Sequence, residues 1–244
     1  MTRRTILITG GTRGIGRACA LNLAASGHNL VLGYADNHEA ASETSSLARG
    51  FGVDCLLIQA DVTSDAGIDA LFDEAMAWAG SIDAVVNNAG ATLHIGPLTE
   101  TPTDVIRRVV ELNLTSAVLV ARRAIQAMDG GGVLVNISSK AAATGSPGEY
   151  VHYAAAKAGV DTLTKGLARE VAPHGIRVVG IAPGVIDTDI HADAGDAARP
   201  QRAARTHPAG RVGRAEEVAA AVAFALSDNA SYISGTTILV TGGA

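Results

Sequence analysis

The sequence predicts one α/β domain, in which a doubly wound parallel sheet of about seven strands carries helices on both faces. Short aliphatic runs of strand length alternate with longer stretches of helical period along the chain. Several runs, such as "TILIT" and "GVLVNI", are aliphatic or β-branched almost throughout, which is typical of strands buried on both faces. A glycine-rich turn follows the first run and opens a helix, the arrangement that starts such sheets.

Each element can be assigned in chain order. The predicted strands are Thr5–Thr9, Asn29–Tyr34, Asp54–Gln59, Asp83–Asn87, Val133–Ile137, Arg177–Ile181 and Thr237–Val240. Helical periodicity fills the intervals and predicts two long helices, at about 102–128 and 150–172. The one irregular stretch, 187–211, is rich in Ala, Asp, Pro and His. A segment of this length within one domain, 1–244, is expected to be a helical excursion or a substrate lid.

Composition restricts the function classes. The chain has 244 residues, of which 48% are hydrophobic and 18% charged, as in a well-buried globular protein. Its net charge of −5 gives no reason to expect a nucleic-acid or membrane partner. Cys19 and Cys55 form neither a zinc motif nor a disulfide framework, so a reducing compartment and no metal are expected. The short apolar run near the N-terminus does not suggest a signal peptide, and a cytoplasmic location is predicted.

The glycine-rich turn is "TGGTRGIG", from Thr9 to Gly16. Gly10, Gly14 and Gly16 give the spacing GxxxGxG between the first strand and the first helix. Glycines there allow a tight turn and a close approach to a pyrophosphate, whose charge then lies at the helix N-terminus. The turn therefore predicts a dinucleotide site.

Two further motifs follow strands of the predicted sheet. "NNAG", from Asn87 to Gly90, comes after the fourth strand, and Ser138 and Ser139 of "VNISSK" come after the fifth. Residues at these carboxyl ends face the ligand crevice of a doubly wound sheet. By themselves the motifs are also compatible with a polar turn and with a helix cap.

The stretch "EYVHYAAAKAG" holds two tyrosines, of which only Tyr153 has a lysine, Lys157, four residues later. At this spacing the two side chains share one helix face. A nearby ammonium favours the phenolate, so the pair is expected to lower the pKa of Tyr153 and suit it to proton transfer. Tyr150 has no such partner and is expected either to form a wall of the substrate pocket or to pack in the core.

Taken together and in this order, these motifs resemble the short-chain dehydrogenase/reductase family, a group of Rossmann-type oxidoreductases. The resemblance runs from Thr5 to the C-terminal "VTGGA" and also includes "DV" at Asp61, Asn113 in "ELNLTS" and "PGVIDT" from Pro183 to Thr188. Within the family it points to the branch of 3-oxoacyl-carrier-protein reductases and sugar dehydrogenases.

The resemblance implies a role for each matching residue. Tyr153 would be the general acid or base, and Ser139 would donate a hydrogen bond to the substrate oxygen. Lys157 would hold the nicotinamide ribose and lower the pKa of Tyr153, and Asn113 would bind a water that links Lys157 to solvent. Substrate contacts are expected from Ser139, Tyr150 and Tyr153. The implied cofactor-binding residues are Gly10, Thr12, Arg13, Gly14, Ile15, Gly16, Tyr34, Asp61, Val62, Asn88, Ala89, Gly90, Tyr153, Lys157, Pro183, Gly184, Ile186 and Thr188.

The cofactor is expected to be NADP in preference to NAD. Tyr34 stands at the end of the second strand, where NAD-using relatives carry a carboxylate, and Arg13 offers a cation to a 2′-phosphate. Asp36 opposes this preference because a carboxylate repels a phosphate.

The predicted function is hydride transfer between NADP(H) or NAD(H) and a secondary alcohol or ketone. Two alternatives remain open: a 3-oxoacyl-carrier-protein reductase of fatty-acid synthesis, and a non-catalytic regulatory protein that senses NAD(P). The first is disfavoured by the scarcity of basic residues in the loops before the fifth and sixth strands, although Arg199, Arg202 and Arg205 count in its favour. The resemblance and the apolar long helices also predict a homotetramer.

Overall fold

A computed structural model describes residues 3–244 and contains a seven-stranded parallel sheet. The strand order is β3-β2-β1-β4-β5-β6-β9. These strands are β1 (Thr5–Thr9), β2 (Asn29–Tyr34), β3 (Cys55–Gln59), β4 (Ala84–Asn87), β5 (Gly132–Ile137), β6 (Ile176–Pro183) and β9 (Thr237–Val240). The order reverses direction at β1, so the crevice that binds ligands in such sheets opens between β1 and β4. The predicted fold class is confirmed, and the strand bounds differ from the predicted ones by at most two residues.

Ten helices are found within the part of the chain that the structure describes. They are α1 (Gly14–Ala25), α2 (His38–Arg49), α3 (Asp65–Ala79), α4 (Thr103–Val110), α5 (Ser116–Ala127), α6 (Ala141–Thr144), α7 (Val151–Val171), α8 (Ile190–Asp193), α9 (Arg199–Thr206) and α10 (Ala215–Leu226). Apolar residues of α1, α2 and α10 pack on one face of the sheet, and those of α3, α5 and α7 pack on the other. Both faces of the sheet are therefore buried, which explains the aliphatic character of its strands.

The prediction of a single helix at about 102–128 is wrong. Between α4 and α5 the chain forms a π-helical turn, Glu111–Thr115. Within this turn the side chain of Asn113 is fully buried and its Nδ2 donates to the carbonyl oxygen of Val109, at 2.9 Å. A side-chain donor that takes a carbonyl of the preceding turn competes with the backbone ladder, and it favours a local widening of the helix.

The irregular segment 187–211 contains two short helices, α8 and α9. Two short parallel strands bracket it, β7 (Ile186–Asp187) and β8 (Gly213–Arg214). The segment therefore leaves the main sheet after β6 and returns immediately before α10, which is the geometry of an excursion over the crevice.

Two further properties concern residues 3–244 only. None of their helices is long and apolar enough to cross a membrane. Nor do their His, Cys, Asp and Glu side chains come together in groups of three or more that could hold a metal ion.

Candidate active site

The glycine loop is tied to the end of β4 by hydrogen bonds. The hydroxyl of Thr9 accepts from the backbone N–H groups of Asn88 and Ala89, at 2.9 and 3.0 Å. In return, Nδ2 of Asn88 donates to the carbonyl oxygens of Thr9 and Gly10, at 3.0 and 3.1 Å. The "NNAG" motif thus supports the loop as well as lining the crevice.

Two glycines of the loop have a clear steric requirement. Gly14 has a φ of +50°, a conformation that other residues rarely adopt. A Cβ on Gly16 would lie 2.0 Å from the carbonyl oxygen of Gly10, so any side chain there would displace the loop. Helix α1 begins at Gly14 and Arg13 provides no side-chain cap, which leaves the first amides of the helix available to an anion.

One end of the crevice lies beside Tyr34 and Asp61. The hydroxyl of Tyr34 and Nδ1 of His38 are 2.9 Å apart. The carboxylate of Asp61 accepts from the hydroxyl and the backbone N–H of Thr63, at 2.7 and 2.9 Å, and these bonds lower the pKa of Asp61. Arg13 makes a salt bridge of 2.6 Å with Asp193 of α8, so a cation expected at the cofactor is also in contact with the lid segment.

The other end of the crevice brings Ser139, Tyr153 and Lys157 together. Tyr153 and Lys157 lie one turn apart on α7, and Nζ of Lys157 is 5.7 Å from the centroid of the Tyr153 ring. Nζ donates to the carbonyl oxygen of Ile137 at the end of β5, at 2.9 Å. The hydroxyl of Ser139 accepts from the backbone N–H of Ala141, at 3.2 Å, which leaves its own proton available as a donor.

The prediction that Lys157 lowers the pKa of Tyr153 is wrong for the chain as it stands. Burial raises the pKa of Tyr153 well above its usual range, and the nearby Tyr150 raises it further. The hydroxyl of Ser139 and the charge of Arg199 oppose this rise but do not cancel it. Burial also lowers the pKa of Lys157, from 10.5 to about 8, against a smaller opposing effect of Asp161. Desolvation of the charged form is the largest effect on the pKa of both groups.

Asn113 lies behind this end of the crevice. Its Nδ2 donates to the carbonyl oxygens of Ala91 and Val109, while its Oδ1 is buried without a partner among residues 3–244. A Cβ on Gly90 would lie 2.6 Å from that Oδ1 and 3.4 Å from Nζ of Lys157. The absence of a side chain at Gly90 therefore lets Asn113 and Lys157 approach the same small space.

Tyr150 lines the cavity and caps the start of α7. Its ring packs edge-on against Tyr153, with the two centroids 5.4 Å apart. Its hydroxyl accepts a hydrogen bond from Arg199, the first residue of α9. Tyr150 also belongs to a buried apolar cluster with Tyr153, so this geometry is compatible with both expectations, a pocket wall and packing in the core.

These parts form one cavity of about 540 Å³. Every candidate site residue from the sequence lines it except Gly16, which lies under the glycine loop, and Asn113, which lies behind Gly90. Sequence reasoning missed several polar lining residues, which are Asn37, Thr92, Asp189, His191 and Asp193. Three of these belong to the segment 187–211, which the sequence marked mainly by its length and irregularity.

Comparison with known proteins identifies the family. The family model described as enoyl-(acyl carrier protein) reductase matches residues 10–244. This chain belongs to the short-chain dehydrogenase/reductase family. Members of the family use NAD(P)(H) as cofactor, and its dehydrogenases act on alcohol and ketone groups.

Similar short-chain dehydrogenases are found among characterised proteins and solved structures. A 3β-hydroxysteroid dehydrogenase of Eggerthella lenta is 41% identical, over 98% of this chain and 93% of its own length. A cis-4-hydroxycyclohexanecarboxylate dehydrogenase of Sinomonas cyclohexanicum is 40% identical, over 98% and 96%. A dehydrogenase/reductase of Sinorhizobium meliloti has a crystal structure that matches with a TM-score of 0.93 at 30% identity, over 100% of this chain and 95% of its own.

Proposed function

We propose that this protein catalyses hydride transfer between NADP(H) or NAD(H) and a secondary alcohol or its ketone. The observation that carries the proposal is the cavity that runs from the glycine loop to Tyr153, with Ser139 and Lys157 beside the phenol. A dinucleotide fits this shape because the loop leaves the amides of α1 open at one end and the proton donors lie at the other. When bound, the nicotinamide supplies the hydride to the ketone or accepts it from the alcohol.

In this proposal each residue has a distinct part in the reaction. The hydroxyl of Ser139 donates a hydrogen bond to the substrate oxygen, on which negative charge develops during reduction. Tyr153 transfers its phenolic proton to that oxygen, and its raised pKa keeps the proton in place at neutral pH until substrate and cofactor are bound. Lys157 binds the ribose hydroxyls. The unpaired Oδ1 of Asn113 accepts a hydrogen bond in the chain of hydrogen bonds that returns a proton to Tyr153.

The test is a panel of ketones and secondary alcohols, followed by absorbance of the reduced nicotinamide. The panel contains open-chain and cyclic compounds, including the two substrates named for the relatives, a 3β-hydroxysteroid and cis-4-hydroxycyclohexanecarboxylate. We expect cofactor- and enzyme-dependent turnover of at least one compound. Tight cofactor binding without turnover of any compound would favour the alternative, an NAD(P)-sensing regulatory protein.

We further propose that NADP is preferred to NAD. Tyr34, at the end of β2, cannot chelate the ribose hydroxyls as a carboxylate does. The salt bridge between Arg13 and Asp193 is exposed on both sides, and such bridges contribute little, so a 2′-phosphate can take over Arg13. The measurement is kcat/KM with each cofactor, where the NADP preference should fall about tenfold in Arg13→Ala. A wild-type preference for NAD would show that Asp36, which also lines the cavity, governs selection.

A free ketone, and not a carrier-bound acyl chain, is the proposed substrate. An acidic carrier protein requires exposed basic residues near the cleft. Two of the three arginines of α9 are already paired, Arg199 with Glu149 and Arg202 with Asp196. Arg205 is exposed and forms no salt bridge within residues 3–244. Faster reduction of a carrier-bound 3-oxoacyl chain than of every free ketone would instead support the fatty-acid-synthesis alternative.

A further inference from the structure

Arg199 is a buried cation in the cavity wall. It opens α9 in the lid segment, lines the cavity and is only 7% exposed. A charged side chain this deeply buried normally requires an ionic partner. The proposed hydride transfer does not use Arg199.

The contacts of Arg199 use one side of its guanidinium group. Nε and Nη2 donate to the two carboxylate oxygens of Glu149, at 3.3 and 2.8 Å, and Nη2 also donates to the hydroxyl of Tyr150. Glu149 itself does not line the cavity, and 41% of its side chain is exposed. Within residues 3–244, Nη1 makes no hydrogen bond and is not buried. The carboxylate of Glu149 therefore orients the group from outside and leaves two donors unused.

Tyr150 fixes the distance between Arg199 and the proposed proton donor. Cζ of Arg199 lies 5.0 Å from the centroid of the Tyr150 ring, and that ring packs edge-on against Tyr153. One tyrosine ring thus separates the guanidinium from the phenol. A compact substrate whose oxygen meets Tyr153 would extend its far end towards Arg199.

The charges around this end of the cavity are mixed, because Glu149 pairs with Arg199 from outside and Asp189 also lines the cavity. Burial lowers the pKa of His191, so this neighbouring lid residue is neutral at physiological pH. The carboxylate of Asp193, also in the lid, is paired with Arg13 at the glycine loop. Arg199 is permanently charged, and its planar donor group matches a carboxylate.

We propose that Arg199 selects substrates that carry a carboxylate at the end remote from the carbon that exchanges the hydride. The inference rests on the proposed function for the identity of that carbon, but recognition of the carboxylate can be tested without turnover. Since Arg199 belongs to the lid, a bound carboxylate would also hold α9 over the cavity. The competing explanation is that Arg199 only fastens the lid to Glu149 and Tyr150.

A binding experiment separates these explanations. Cyclohexanecarboxylate and cyclohexanecarboxamide, which cannot be reduced, are titrated by calorimetry into the enzyme saturated with oxidised cofactor. The acid should bind wild type at least about tenfold more tightly than the amide, the scale of one charge-assisted interaction. In Arg199→Gln this ratio should fall to about one. Equal binding to wild type, no measurable binding of the acid, or an unchanged ratio in the variant would overturn the proposal.

Two further variants complete the experiment. Arg202→Gln is the matched control, because Arg202 lies on the same helix, pairs with Asp196 and does not line the cavity, so the ratio should not change. Glu149→Gln removes the negative charge that neutralises Arg199 and should increase the ratio, which keeps the test decisive if Arg199→Gln does not fold. An unchanged ratio in Glu149→Gln would count against the proposal.

Turnover then distinguishes failure of the inference from failure of the proposed function. The 4-oxo derivatives of the same acid and amide are compared by kcat/KM. A preference for the keto acid that Arg199→Gln abolishes supports both proposals. Equal turnover of the two ketones leaves the proposed function intact and refutes carboxylate selection. Selective binding of the acid without turnover of either ketone supports carboxylate selection and refutes the proposed function.

Discussion

Lys157 combines deep burial with the lack of a close carboxylate. Within the part of the chain that the structure describes, its Nζ donates a hydrogen bond to the carbonyl oxygen of Ile137 and forms no salt bridge. Its pKa is lowered to about 8 because burial penalises the ammonium form. The unfolded chain, in which the pKa is 10.5, binds more protons at this residue between pH 8 and 10.5. Stability should therefore rise with pH in that window.

This linkage can be measured with Lys157→Met. The free energy of unfolding of wild type, relative to that of the variant, should increase as the pH is raised from 8 to 10.5, because folded Lys157 loses its desolvated charge there. The measurement is urea unfolding at a series of pH values without cofactor. Lys165→Met, an exposed lysine on the same helix, is the control. A difference between wild type and Lys157→Met that does not depend on pH would contradict the prediction.

The two tyrosines are predicted to respond differently to loss of the hydroxyl. Tyr153→Phe should keep cofactor binding but lose at least about a hundredfold in kcat, the usual scale for a general acid. Tyr150→Phe removes the acceptor for Arg199 and should change KM more than kcat. Steady-state kinetics on the best compound of the panel provides both values. An equal collapse of kcat in the two variants would indicate that the tyrosines act as one unit.

At the scale of elements, the π-helical turn between α4 and α5 positions Asn113. An extra residue in the turn rotates the following helix relative to the preceding one, and here the turn coincides with the residue beside Gly90 and Lys157. The spacing of apolar residues does not reveal this turn, because the same helical spacing continues through it. The resemblance singled out Asn113, whereas the helical geometry around it could not be predicted from the sequence.

Asn113→Ala should destabilise the protein. The substitution removes donors from the carbonyl oxygens of Ala91 and Val109, and it should lower the free energy of unfolding by about 1–3 kcal/mol. Ser116→Ala is a suitable control, because its hydroxyl donates a single bond, to Leu112 at 2.6 Å, and its loss should be smaller. The check is chemical denaturation of the three proteins, and equal stability of Asn113→Ala and wild type would refute a structural role for the amide.

The elements also differ in how far their sequences define them. The strands were predictable because burial on both faces requires continuous aliphatic runs, as in Thr5–Thr9. Helices α8 and α9 were not, because helices this short lack a long amphipathic pattern. The sequence therefore identified Arg199 only as an arginine of the segment 187–211. Its contacts with Glu149 and Tyr150 arise from tertiary structure that brings distant segments together.

At the scale of the whole molecule, a homotetramer remains a prediction. Strand β9 forms one edge of the sheet, and Leu239 on it is 54% exposed. Phe224 of the adjacent helix α10 is 44% exposed. Apolar side chains on an unpaired edge are a favourable surface for association between copies of one chain.

Light scattering at micromolar concentration tests this prediction. The wild-type mass should be four times that of the 24.7 kDa chain. Leu239→Asp places a charge on the exposed edge of the sheet and should reduce the measured mass. Tyr232→Asp, at an exposed aromatic residue outside β9, serves as a comparison. A monomer mass for wild type would contradict the tetramer, and an unchanged mass for Leu239→Asp would exclude β9 from the interface.

The strand order also determines how the protein can assemble while it is being synthesised. Once β1, β2 and β3 have left the ribosome, β4 adds beside β1, and β5, β6 and β9 then each add beside the strand before. The nascent chain therefore has one growing edge, and no strand must be inserted between two that are already paired. Until β4 emerges, however, the aliphatic edge of β1 has no neighbour on that side. This interval is when the chain most needs protection from aggregation.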